Sequence, residues 1–467
     1  MAGRGLEAFA SLARVIPEVE KPTRKVQFKE KIFWTASAVI IYLIMAEIPL
    51  YGIAGLEGDP FAMMRVIFAS ERGTLMELGI GPIVTAGLIL QLLAGSKIIQ
   101  IDRSKARDRA VFAAANKVLA IIMFGFQAAV FILGGMYGPL STSIALLVFF
   151  QLLVAGIILI LLDELVQKGW GLGSGISLFI VAGVTKSIYW SSFAPIGPAG
   201  DGYLVGAILA FFQSIMANNV QATLIRPMGL PDMVGFISML VIFVILIYAE
   251  GIRVDVPISH ARFRGFRGSY PIKFFYVSVI PVILASALFA NVYFISSILS
   301  SRFPNSFLAE ILGRVDAVTG QPTGGIVYFL TPPGNLQAVM LDPLRALVYT
   351  VLFAGICVVF AKLWVELTGM TSRDVAKQLI GSGVQIPGFR RSEQPIREVL
   401  DRYIPVMTVL SGLSVGLIAA VANFFNPFGT GIGILLTTSI IWQYYQLLAK
   451  ERIEEMYPGL SRLLGRG

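Results

Sequence analysis

Cysteine, histidine and charge are what this 467-residue chain has least of. One cysteine, Cys357, and one histidine, His260, leave no intramolecular disulfide, no CxxC pair and no zinc site of several histidines. Cys357 lies in an apolar run, where a thiol serves as a small packing residue. Charged residues make up only 14% of the chain and hydrophobic ones 56%, whereas a soluble domain carries about 25% charged residues. A polytopic membrane protein follows.

Segments able to cross about 30 Å of hydrocarbon fall at 32–50, 75–94, 112–133, 143–162, 172–190, 233–250, 274–299, 343–367, 404–424 and 428–449. The charges orient them. Alternate hydrophilic segments (1–31, 97–110, 163–171, 250–273, 362–403 and 450–467) hold 29 of the 37 Lys and Arg residues. Both termini are therefore expected in the cytosol, and the strict alternation argues for an even number of spans. No cleavable signal peptide is expected, because the first thirty residues are polar and basic. Leu6, Phe9, Leu12 and Ile16 instead recur at helical spacing, as in an amphipathic helix on the membrane surface.

The spans divide at 191–232 into five and five. Two halves with an odd number of spans must have opposite orientations, which is the arithmetic of an inverted repeat. That division gives a cytosolic segment 1–31, halves at 32–190 and 233–449, an external hinge linker at 191–232 and a cytosolic tail at 450–467. Ionisable residues in the spans are few and close to helix ends, among them Glu47, Lys117, Arg345, Lys362 and Glu366. No carboxylates pair at mid-helix, which weighs against an ion-driven transporter of the same plan and against membrane-embedded catalysis. No cofactor is expected.

Three stretches remain. EGDPFAMMRVIFASERGT, between the first two spans, starts with Asp59 as N-cap and Pro60 at the first helical position. Its apolar residues Phe61, Met64, Ile67 and Phe68 belong to a helix too short to cross a bilayer. Glycines in GWGLGSGIS open the fifth span without forming a nucleotide loop, and suit close helix packing. Two basic loops, with Arg253, Arg262, Arg264, Arg267 and Lys273 in one and Arg390 and Arg391 in the other, present arginines to an acidic surface. RNA, acidic lipid and acidic protein all fit that chemistry.

The loop RVDVPISHARFRGFRGSYPIKFF running into VSVIPVILASALFAN resembles the region before the seventh helix of the SecY family of protein-conducting channels, in its archaeal and eukaryotic form. The resemblance covers nearly the whole chain. It implies an all-α integral membrane protein, with ten transmembrane helices in two inverted five-helix halves around a central pore. The short helix near 60–70 then becomes a plug. It also implies a constriction of six aliphatics: Ile80 and Val84 from LGIGPIVTAG, Leu172 and Ile176 from GLGSGIS, Ile283 from IPVIL and Leu436 from GTGIGILLT. Thr85, Gln127 and Asn291 match the polar cluster of the family's lateral gate, formed by spans two, three, seven and eight. Partners implied are a SecE-type gamma subunit, a small beta subunit (each of one span), the ribosome on Arg262, Arg264, Arg267, Arg390 and Arg391, signal sequences, nascent polypeptides and membrane lipid. One departure stands out: Val279 occupies a position where the family commonly has Asn.

Overall fold

The computed structural model describes residues 16–456 apart from 54–64, 66–67, 97, 100–105, 135, 139, 198–200, 227–229, 261–266, 304–305, 317–320, 382–383 and 386–392. For 106, 257–260, 267–268, 301–302, 384–385, 393 and 453–456 only the backbone is described. Ten long helices dominate: α1 (Phe28–Met45), α2 (Gly81–Gly95), α3 (Ala106–Leu133), α4 (Thr142–Leu165), α5 (Gly175–Phe193), α6 (Met233–Gly251), α7 (Ile280–Arg302), α8 (Pro343–Thr368), α9 (Glu393–Phe424) and α10 (Gly431–Met456). Each of the ten expected spans falls on one of them.

Among the described residues eight helices, α3 to α10, are long and apolar enough to cross a membrane. Helix α1 carries Lys29, Glu30 and Lys31 in its first turn. Helix α2 has 15 residues and rises only about 22 Å. Outward-facing side chains are apolar, Phe126 being 57% and Val244 64% exposed. In water such a surface would drive aggregation, and in lipid it is at home. The chain is a multi-pass membrane protein.

Helix ends follow local chemistry. Asp232 caps α6 by accepting from Gly235 N at 2.7 Å, and Asp342 caps α8 by accepting from Arg345 N at 3.0 Å, with Pro343 at the first position. Helix α8 stops at Gly369 in the left-handed conformation, φ 67°. One large core then joins the helices, with Phe124, Phe179, Tyr349 and Phe353 among its largest buried side chains.

The charge of Lys117 is paired. Lys117 of α3 lies 2.6 Å from Glu164 of α4 and donates to Pro17 O at 2.8 Å. Glu164 also accepts from Val19 N at 3.1 Å, and Trp170 Nε1 donates to Glu20 O at 2.7 Å. Residues 17–20 are thereby strapped against Lys117 of α3 and the last turn of α4. Beside them the Glu18 carboxyl is held below the usual carboxylate range by its hydrogen bond from Lys168. Of the expected N-terminal amphipathic helix, Leu6, Phe9 and Leu12 lie outside the described residues.

The two basic loops are one unit. Strand β1 (Arg253–His260) pairs antiparallel with β2 (Arg267–Lys273) in the register Arg253↔Lys273 to Ser259↔Arg267. On its other side β1 pairs with β3 (Val384–Gln385) through Ser259↔Gln385 and His260↔Val384. Val256 and Ile272 of this sheet share a small core with Val375, Ile396, Leu400 and Ile404, from a short helix at Ser372–Gly381 and the start of α9. Sequence reading gives two separate loops here; the sheet makes them a single platform.

Candidate functional site

The short helix between α1 and α2 meets the rest of the protein at its carboxyl end. Phe61, Met64 and Ile67 lie outside the described residues, but Arg65 and Phe68 do not. Phe68 O accepts from Ile80 N at 2.8 Å, so a plug candidate is bonded directly to a constriction candidate. Gly79 makes this approach possible: its φ is +52°, and a Cβ there would stand 2.2 Å from Phe68 O. Tyr42 of α1 donates to Ala69 O at 2.9 Å. Arg65 Nη2 lies 2.7 Å from Glu77 Oε1, with side chains 9% and 2% exposed, and Glu77 also accepts from Gly73 N. This buried pair pins the segment to the approach of α2.

Thr85, Gln127 and Asn291 are brought together. All three line a cavity of about 60 Å³ that Phe68, Arg65 and Glu77 also border. Asn291 Nδ2 of α7 donates to Thr85 Oγ1 of α2 at 3.1 Å and to Ala287 O at 2.7 Å. Gln127 of α3 faces the cavity with no hydrogen bond to either among the described residues. Phe131 of α3 and Phe294 of α7 pack with ring centroids 5.0 Å apart beside them. A cavity of that size holds a few waters, so the seam is neither tightly packed nor fully bonded.

Five of the six constriction candidates sit in or against the one large core. Ile80 and Leu436 are fully buried in it, while Val84, Ile176 and Ile283 are partly buried against it. Leu172 is 4% exposed but lies apart from that cluster. Val279 stands at the N-cap of α7 with no side-chain capping bond. The nearby polar contact comes from Gln443 Nε2 of α10, which donates to Ser278 Oγ at 2.7 Å.

Of the docking candidates, Arg262, Arg264, Arg390 and Arg391 lie outside the described residues, and Arg267 is described only as the first residue of β2. The sheet register nevertheless sets Arg267 of β2 and Gln385 of β3 on either side of Ser259 of β1, in one row across the sheet. No group of His, Cys, Asp or Glu suited to a metal ion is found among the described residues.

Sequence reading passes over Glu77, Asp163 and Tyr444. Glu77 stands inside an expected span and Asp163 just past the end of another, and an ionisable residue at such a place needs a named partner. That rule was enough to single both out. Tyr444 carries no such signal, because a tyrosine near the end of a membrane helix is ordinary.

Fold and site together define a polytopic helical membrane protein with a segment folded back against its core beside a loosely bonded polar seam. The chain belongs to the SecY family: residues 74–445 match the SecY family and residues 40–73 match the plug domain of Sec61p. It is 45% identical over 466 residues to the protein translocase subunit SecY of Pyrococcus furiosus, covering 97% of this chain and 98% of that protein. Among solved structures it resembles a protein-conducting channel with a TM-score of 0.83 and 41% identity, covering 96% of this chain and 98% of that one. Sec61 in the canine ribosome–channel complex from the endoplasmic reticulum gives a TM-score of 0.81 and 40% identity, with 96% and 98% covered.

Proposed function

We propose that this chain is the pore-forming subunit of a protein translocase, conducting polypeptides across the membrane and releasing apolar segments sideways into lipid. The observation that carries this reading is the junction at Phe68. Its carbonyl accepts from Ile80 N at 2.8 Å, and the same residue borders the cavity lined by Thr85, Gln127 and Asn291. Plug, constriction and gate candidates thus meet at one place.

In this reading Ile80, Val84, Leu172, Ile176, Ile283 and Leu436 form the constriction. Aliphatic side chains dewet a narrow passage and so block ions. They also deform around any passing side chain without binding one sequence over another. Phe61, Met64, Ile67 and Phe68 close the resting pore. Asn291 and Thr85 hold the gate by a bond of about 1 kcal/mol, with Gln127 facing the same cavity, weak enough for an apolar signal segment to displace.

The membrane is the cytoplasmic one, with both termini in the cytosol, as the bias of Lys and Arg supports. The halves are 32–190 and 233–449, joined outside by 191–232. Segments 1–31 and 450–467 are cytosolic. Arg262, Arg264, Arg267, Arg390 and Arg391 then dock the ribosome, a role supported by the ribosome-bound relative. Single-span gamma and beta subunits complete the assembly. The chain acts as a passive channel rather than an enzyme, driven by the ribosome, an ATPase partner or folding of the substrate.

The test is transport into vesicles containing the purified complex. A precursor with a signal segment should become protease-protected, and the same precursor without its signal should not. Saturable uptake of a small solute with no protected precursor would sink the reading.

A further inference from the structure

The turn that opens α5 carries two of the six constriction candidates, and side chains from three other helices hold its backbone. Ser174, the N-cap of α5, makes no side-chain capping bond. The first N–H groups of a helix have no partner within it, so they are satisfied from elsewhere. Asp163, in the last turn of α4, does this: its Oδ1 accepts from Ile176 N at 2.9 Å while Gln167 Nε2 holds its Oδ2 at 2.7 Å. An anion also suits the positive end of the helix dipole. Thr35 of α1 accepts from Leu172 N at 2.9 Å and donates to Lys31 O at 2.7 Å.

The third contact is Tyr444 of α10. Its hydroxyl accepts from Ser174 N at 3.0 Å and stands 2.9 Å from Leu172 O and 3.0 Å from Ser174 O. A phenol has one proton, so it donates to one carbonyl at a time, with a second acceptor in reach. Gly173 lies under the hydroxyl with φ +76°, and a Cβ there would stand 2.5 Å from its oxygen. Any other residue at 173 is disfavoured twice, by backbone conformation and by the tyrosine itself.

These contacts come from different parts of the chain. Thr35 and Asp163 precede the linker 191–232, whereas Tyr444 lies on the last helix, about two turns beyond Leu436. We propose that Tyr444, with Thr35 and Asp163, is a positioning residue for the constriction: it sets the direction of Leu172 and Ile176 and ties it to α10. The inference rests on the constriction reading above. The paired carbonyls let the hydroxyl change acceptors without losing a bond, so the joint swivels as α10 moves against α5. A charge in its place would leave one partner stranded at each step.

The experiment uses the complete complex in planar bilayers, reading resting ion current without substrate. Tyr444→Phe should raise that current by about threefold or more, on the scale of one or two lost interhelical bonds. Placing p-aminophenylalanine at 444 restores a para donor and should return the current to the wild-type level. Current that stays high with that residue would assign the effect to packing and overturn the proposal. Thr35→Val should act in the same direction and Thr35→Ser should not, and this pair decides the matter if Tyr444→Phe fails to assemble. Val84→Gly combined with Ile176→Gly separates the two levels of the argument. If that double variant leaks while Tyr444→Phe and Thr35→Val stay tight, the clamp is wrong and the constriction stands. If neither the double variant nor the clamp variants leak, the constriction reading fails and takes the clamp with it.

Discussion

Arg226 closes a joint within the linker 191–232 and Asn291 a joint between α7 and α2, at very different strengths. Arg226 has 0% exposed side chain, and all five of its N–H groups are engaged. They reach both carboxylate oxygens of Asp201 and the carbonyls of Leu204, Val205 and Pro231 at 2.7 to 3.0 Å. Asn291 offers one bond to another helix, to Thr85 at 3.1 Å, beside a cavity of about 60 Å³. Stripping one partner from a buried ion pair costs about 3–5 kcal/mol. A hydrogen bond between membrane helices is worth about 1 kcal/mol. A channel that opens sideways needs this asymmetry, because the linker must hold under a load that parts the seam.

Breaking the strong joint should have the largest effect. Arg226→Met is expected to lower stability by about 3–5 kcal/mol, measured by thermal or denaturant unfolding; a loss under about 1 kcal/mol would make the two joints equals. Its pH dependence sharpens the point. The hydrogen bond from Arg226 holds the Asp201 carboxyl below the usual range. A depressed folded pKa contributes stability above the unfolded value, about 3.9, that is lost as pH falls through the folded value. Wild type and Asp201→Asn should therefore differ in Tm at neutral pH and converge in acid.

Next comes the pair that pins the plug. Glu77→Gln removes the carboxylate 2.7 Å from Arg65, and resting ion current through the complex should rise. Exchanging the two charges, Arg65→Glu with Glu77→Arg, should recover part of the loss, with a coupling of about 1 kcal/mol or more. Additive effects would show that the pair does not hold the segment.

Opening the weak seam should cost less. Asn291→Leu removes about 1 kcal/mol, roughly fivefold in the closed-to-open ratio, and should let precursors with weaker signal segments through. If signal stringency is unchanged, the Thr85–Asn291 bond is packing alone. The smallest effect on the channel itself is expected from Arg264→Glu with Arg391→Glu. Ribosome affinity should drop, most clearly at low salt, while assembly and resting current stay as in wild type.

The helices were legible in the sequence because apolar length and the alternation of basic loops report directly on the bilayer. The helix start read from Asp59 and Pro60 lies outside the described residues. The constriction candidates could not be picked from residues alone: Ile80 and Leu436 are aliphatics among aliphatics, and a helix buried all round shows little moment. Resemblance supplied them. The platform was half visible, since Val254, Val256 and Ile258 alternate at strand period, yet nothing local announces that Val384 pairs with His260. Arg226 was equally silent, because three of its acceptors are backbone carbonyls that only folding brings near.

The most direct test of the central claim places a photocrosslinker at Ile283 and presents a stalled, ribosome-bound nascent chain, with lipid-facing positions such as Val244 as controls. A crosslink that forms only when the nascent chain carries its signal segment would put a polypeptide at the proposed constriction. No crosslink at Ile283, in membranes where the ribosome is shown to bind, would contradict it.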